Sequence, residues 1–174
     1  MASLDGIEPK YHGDDKYLGC GWHRVLTGPS TLKYIGPKKT PQIEQMVYNA
    51  ETGMEAKAQH WVSEKCLASY VSWVECCGLD RDQRREIDTE NVETLRPLED
   101  RNLWVMIDYR QNDQSGKWYK EIVRWRADSD DQPQGQPKHM ENPSFAAGAR
   151  PPARSTGTTS AAYSPSVDEE DIPF

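Results

Sequence analysis

Apolar and polar positions alternate with period two over much of residues 21–62, switch to helical spacing after residue 63, and return to period two after residue 102. Gly21 opens the first run, Trp22-His23-Arg24-Val25-Leu26-Thr27. Gly28 and Pro29 interrupt it, and Thr31-Leu32-Lys33-Tyr34-Ile35 resumes it. One long strand broken by a bulge or bend accounts for this pattern. Residues 36–41, with one glycine, two prolines and the pair Lys38-Lys39, read as a loop. A second strand is expected over residues 42–48, a turn over 49–53 and a third strand over 54–62. On the third strand Glu55, Lys57, Gln59 and Trp61 share one face; Met54, Ala56, Ala58 and His60 share the other.

From residue 64 the apolar positions 67, 70, 71, 74 and 77 follow a helical period, with Ser63 as the expected N-cap and Gly78 as the C-terminal cap. Leu67, Val71 and Val74 are expected to press on the sheet. Residues 80–88 suggest a short charged helix, and the polar stretch to Arg101 a connector across the sheet's end. Residues 103–110 form the strongest strand, 111–116 a hairpin loop and 117–126 the last strand. After Ala127 the composition shifts to Asp, Gln, Pro, Gly, Ser, Thr and Ala, which predicts a disordered linker over residues 128–167. Residues 1–20 read as a loosely ordered leader.

The chain of 174 residues carries a net charge of −7, unevenly placed. Residues 1–127 hold 18 Lys and Arg against 20 Asp and Glu, a net of −2; residues 128–174 hold 3 against 8, a net of −5. A near-neutral body can bind a polyanion where its cations cluster, and the acidity belongs to the tail. The cysteines Cys20, Cys66, Cys76 and Cys77 include no Cys-x-x-Cys pair and read as buried small hydrophobes. No phosphate-binding loop, nucleophile elbow or zinc pattern appears, so neither metal nor cofactor is expected. No apolar run spans a bilayer and no signal peptide is recognisable, which predicts a cytoplasmic protein without membrane contact.

The chain finishes on Asp168, Glu169, Glu170, Asp171, Ile172, Pro173 and Phe174. Four carboxylates leading into an apolar, proline-stiffened end suit a pocket with an apolar floor and a basic rim, with the acids guiding the encounter. This ending resembles the acidic tip of bacterial and phage OB-fold single-stranded-DNA-binding proteins. The resemblance implies recruitment of replication, recombination and repair proteins through residues 168–174, with competition between tip and DNA for a basic groove. It would place the protein in a bacterial host cell if phage-encoded, and it raises homo-oligomerisation as an expectation.

Three strands, a helix and a hairpin is also the element order of an OB-fold. The expected architecture is therefore mainly β: a five-stranded OB-fold-like barrel over residues 21–127, with one helix between strands three and four. Oligonucleotides lie across strands two and three of such barrels, between the loops joining strands 1–2 and 4–5. Lys38 and Lys39 occupy the first loop, while Arg110 and Lys117 bracket the second beside Trp118. Non-sequence-specific single-strand binding needs cations for phosphates and rings for base stacking. The stacking candidates are Tyr34, Tyr48, Trp61, Trp104 and Trp118; Trp73 and Trp125 are assigned to the core. Lys33, Lys57, Lys120, Arg124 and Arg126 complete the cationic set, with Trp118, Lys120, Ile122, Arg124 and Arg126 on one face by parity. Two rival readings are a protein adaptor without DNA binding and a strand-annealing mediator. A nuclease would need convergent acids such as Glu44, Glu55, Glu64 and Asp108; scattered acids are more often solvated surface.

Overall fold

The computed structural model describes residues 16–145. It is mainly β, a five-stranded antiparallel sheet of order β3-β2-β1-β4-β5 with few helices. The strands are β1 Gly21–Ile35, β2 Thr40–Tyr48, β3 Glu55–Trp61, β4 Asn102–Gln111 and β5 Trp118–Ala127. The long first strand pairs with β4 through its first half and with β2 through its second. The edges β3 and β5 approach one another, and helix α1 (Leu67–Cys76) packs against both. Among the described residues no hydrogen-bonded ladder joins these two edges.

The expected break in β1 is a bulge between Thr27 and Ser30. Proline has no N–H to give a ladder, and the interruption leaves the Gly28 carbonyl needing a partner. Buried Gln45 supplies it: its amide nitrogen donates to Gly28 O and Leu98 O at 3.0 Å each, and its oxygen accepts from Trp73 Nε1 at 2.8 Å. Thr27 extends the network, donating to Leu98 O at 2.6 Å and accepting from Arg101 N at 2.8 Å. This fully bonded polar centre locks β1, β2 and α1 to the 3-10 helix Val92–Leu98.

The core lies between one sheet face, α1 and that 3-10 helix, whose Leu95 and Leu98 are buried. The stretch before Arg101 thus supplies core as well as connection. Helix α2 (Arg81–Arg85) begins at Asp80 in a reciprocal capping box with Gln83. Gly78 adopts φ +81° after α1, the left-handed position that a helix C-terminus favours for glycine.

Several expectations are corrected. α1 starts at Leu67, with Cys66 at its N-cap and no side-chain cap. Ser63 instead donates to Cys66 Sγ, as residues 63–66 form a separate turn. The helix buries Tyr70, Trp73 and Val74, while Leu67 and Val71 stand outward. The ring of Trp73, drawn in by Gln45, fixes this rotation. Cys66 and Cys77 are buried, but Cys20 and Cys76 are half-buried. Burial pushes the Cys77 thiol up to about 12, reinforced by Cys76.

Leu18, within the expected leader, joins the core, and its N–H donates to Glu55 O at 2.9 Å. The start of the expected linker is docked as well. Arg24 forms a two-point pair with Asp128 at 2.7 and 2.8 Å, and Trp104 Nε1 donates to Ser129 O at 2.9 Å. Buried Asp108 accepts the backbone N–H groups of Lys138 at 2.7 Å and His139 at 3.0 Å. Composition alone misses these bonds, because the partners are side chains on β1 and β4. Trp22 and Met106, opposite one another in the β1–β4 ladder, are buried outside the main core. Residues 128–139 thus form a strap over this side of the sheet, and Met106 shares a cleft with its residues 136–139.

Candidate functional site

Cross-strand neighbours share a sheet face, so the ladders decide which side chains meet. On the sheet face opposite the core, the β1–β2–β3 ladders align Lys33 with Gln42 and Trp61, Thr31 with Glu44 and Gln59, Met46 with Lys57, and Tyr48 with Glu55. Glu44 lies nearly buried between two lysines, 2.8 Å from Lys33 Nζ and 3.3 Å from Lys57 Nζ, and accepts from Gln59 at 3.1 Å. Burial alone would raise its carboxyl pKa, but the bonds from Lys33, Gln59 and Lys57 outweigh this and hold it below the usual carboxylate range. One acid therefore offsets part of the charge of two lysines.

The seam between β3 and β5 is lined by two clefts of about 250 and 510 Å³ that share Lys57, Gln59, Glu121 and Ile122. Trp61, Arg110 and Trp125 line the first; Tyr17, Tyr119 and Lys120 line the second. Through these shared residues the two clefts adjoin along the seam, a groove with cations and rings on both parts. Tyr17 and Tyr119 are 47% and 48% exposed. Two acids line these clefts, Glu55 in the second and Glu121 in both; burial raises the pKa of Glu121, partly opposed by Arg110, whose guanidinium is 3.8 Å away.

His60 closes the floor of the first cleft, its ring centroid 5.3 Å from Tyr70, 4.9 Å from Trp73 and 5.5 Å from Trp125. Burial lowers its pKa to about 4 and raises that of the Tyr70 phenol. His60 Nε2 and the Tyr70 hydroxyl lack hydrogen-bond partners among the described residues. The aromatic cluster joins the two sheet edges to α1 and gives the groove a rigid base.

Lys57, Trp61, Arg110 and Lys120 thus meet at one seam, although they come from strands far apart in sequence. Lys33 and Tyr48 lie on the adjoining β1–β2 surface, with Tyr48 half-buried. Tyr34 is 57% exposed near the end of β1, opposite Pro41. Lys38 and Lys39 are exposed in the following turn, where Lys39 takes φ +52°. Lys117 is exposed in the β4–β5 loop, and neither it nor the Lys38–Lys39 turn lines the seam.

β5 requires a further correction. Ile107 pairs with Ile122 but Met106 with Arg124, which leaves Val123 as a bulge. The bulge reverses side-chain parity. Arg124 and Arg126 therefore share the outer face with Met106 and Trp104, whereas Ile122 and Trp125 face the core residues Ile107 and Val105. Trp118, Lys120, Ile122, Arg124 and Arg126 do not form one face. Trp104 is on the outer face, as parity indicated, but is half-buried and bonded to Ser129. Trp118 meets the His139 ring edge-on at 4.9 Å, and with Arg124 it lines the cleft beneath the strap. The exposed rings Tyr17 and Tyr119 escaped sequence reading because one lies in the apparent leader and the other shares the strand parity of a core tryptophan.

The nuclease candidates do not converge: Glu44 binds lysines, Asp108 binds the strap backbone, Glu55 pairs with Lys16 at 3.0 Å and Glu64 is exposed in the turn before α1. Among the described residues no group of three or more His, Cys, Asp or Glu is arranged to hold a metal ion. No helix among them is long and apolar enough to cross a membrane. The tip residues Asp168, Glu169, Glu170, Asp171, Ile172, Pro173 and Phe174 lie outside the described residues. No protein-family model and no curated protein matches the chain.

Proposed function

We propose that this chain is a non-sequence-specific single-stranded-DNA-binding protein serving DNA replication, recombination or repair. In this reading the sheet is a partly open OB-fold-like barrel whose gap is the β3–β5 seam. Residues 168–174 recruit partner proteins. The observation that carries the reading is the groove along that seam, where Lys57, Arg110 and Lys120 accompany Trp61, Tyr119 and Tyr17. Cations bind successive phosphates while rings stack on bases, a combination indifferent to sequence. Glu44, Glu55 and Glu121 reduce the local positive charge and favour moderate, salt-sensitive affinity.

The test is a titration of the full chain with oligo-dT at two salt concentrations, following tryptophan emission. Quenching that weakens with salt is expected, because phosphate contacts release counterions. Trp61→Ala should cost roughly 1–3 kcal/mol of binding. Lys57→Ala with Arg110→Ala should reduce the salt slope by about 0.7 per lost phosphate contact. A folded protein that shows no binding, or binding indifferent to salt, overturns the reading. The partial offset of Lys33 and Lys57 by Glu44 favours a second one, an adaptor without DNA binding, and that negative result would support it.

A further inference from the structure

Helix α1 turns an apolar edge away from the core. Leu67 and Val71, one turn apart, are 40% and 44% exposed. With Ile87 and Val74 they floor an open cleft of about 540 Å³. Its lining carries Arg81, Arg84 and Arg85 with one acid, Asp88, and two further acids pair with these arginines from outside the cleft. Arg84 is tied to Glu75, and Arg85 is only loosely paired with the exposed Asp82, at 3.7 Å. The cleft thus presents large apolar side chains below cations, a combination that water alone does not satisfy.

We infer that this cleft receives residues 168–174 of the same chain. Ile172, Pro173 and Phe174 would cover Leu67, Val71 and Ile87, while the preceding four carboxylates face Arg81 and Arg85. The complementarity is double, apolar against apolar and four acids against the basic rim. The intervening residues 146–167 number 22. Their contour length of about 75 Å exceeds the ~40 Å expected across a body of this size, so the chain can reach the cleft. This cleft shares no lining residue with the first β3–β5 cleft, where Lys57, Trp61 and Arg110 meet. Docking in this cleft is thus a different contact from competition for the DNA groove. The inference stands apart from the DNA-binding reading, because its test contains no nucleic acid.

The experiment compares amide NMR spectra of the full chain with those of full-length Phe174→Ala and of a variant whose four tip acids become Asn or Gln. Shift changes at Leu67, Val71, Arg81, Arg85 and Ile87 are expected, and high salt should reproduce part of them. In the reverse direction, Val71→Glu with Arg81→Glu should move the amides of residues 168–174 to their positions in the isolated tip peptide. Both replaced side chains lie at the surface, so the fold should persist. Unchanged cleft amides, or changes confined to Lys57, Trp61 and Arg110, overturn the inference. Changes that disappear on dilution also overturn it, because they assign the cleft to the tip of a second copy.

Discussion

His60 ties an electrostatic property of one residue to the stability of the whole sheet. Its imidazole is enclosed by Tyr70, Trp73 and Trp125, and burial lowers its pKa to about 4. Below the ordinary histidine value of about 6.5, the unfolded chain takes up a proton that the folded chain refuses until near pH 4. Stability should therefore rise with pH across that window. The native protein should be about 2 kcal/mol more stable at pH 7 than at pH 5 from this residue. Glu44 works in the same direction but lower: its depressed pKa contributes stability that is lost only as pH falls below the ordinary carboxylate range. Urea midpoints at the two pH values test this, with His60→Phe expected to flatten the difference; an equal difference in both proteins would assign it elsewhere. Strand alternation separates His60 from Lys57, Gln59 and Trp61, and the structure makes its face the inward one. Its aromatic cage was not legible, because two of the three rings come from α1 and the third from β5.

At the scale of elements, α1 shows how a correct helix can carry the wrong buried face. Apolar residues at 67, 70, 71, 73, 74 and 77 support two overlapping stripes one position apart. The stripe that spacing favours runs through Leu67, Val71 and Val74, of which only Val74 is buried; the buried one runs through Tyr70, Trp73, Val74 and Cys77. The bond from Trp73 to Gln45 resolves the ambiguity, and Gln45 looks like an ordinary polar strand residue until the β1 bulge exposes the carbonyl it serves. In urea denaturation, Trp73→Ala should cost roughly 3–5 kcal/mol, whereas Val71→Ala should cost less than about 1 kcal/mol. Comparable losses at both sites would contradict the observed rotation. β5 gives the same lesson for strands: Trp125 faces inward and Arg124 and Arg126 outward as alternation indicates, but the Val123 bulge, which no residue in the strand announces, turns Ile122 inward as well.

At the scale of the molecule, the strap formed by residues 128–139 makes the β1–β4–β5 outer face part of the folded body. Asp108 is its anchor, a buried carboxylate accepting from Lys138 and His139. Asp108→Ala should leave the main core intact but release this segment. Amide exchange at Lys138 and His139 should accelerate about tenfold or more, equivalent to roughly 1.4 kcal/mol. Trp118 emission should change as its His139 contact is lost. Exchange that remains slow would mean that the Arg24–Asp128 pair and the Trp104–Ser129 bond hold the strap without Asp108.

Alternation with period two, the helical period after residue 63 and the Gly28-Pro29 interruption determined the five strands, the principal helix and the bulge, because each is a local consequence of backbone geometry. The residue types also named Lys57, Trp61, Arg110 and Lys120 as candidates. Only tertiary structure decided that these four share a seam, that Trp104 and Trp118 lie against a strap, and that Leu67 and Val71 face outward. Those outcomes depend on pairings between residues distant in sequence and on the Val123 bulge that changes strand parity in β5, and neither is written in the local pattern of any one element.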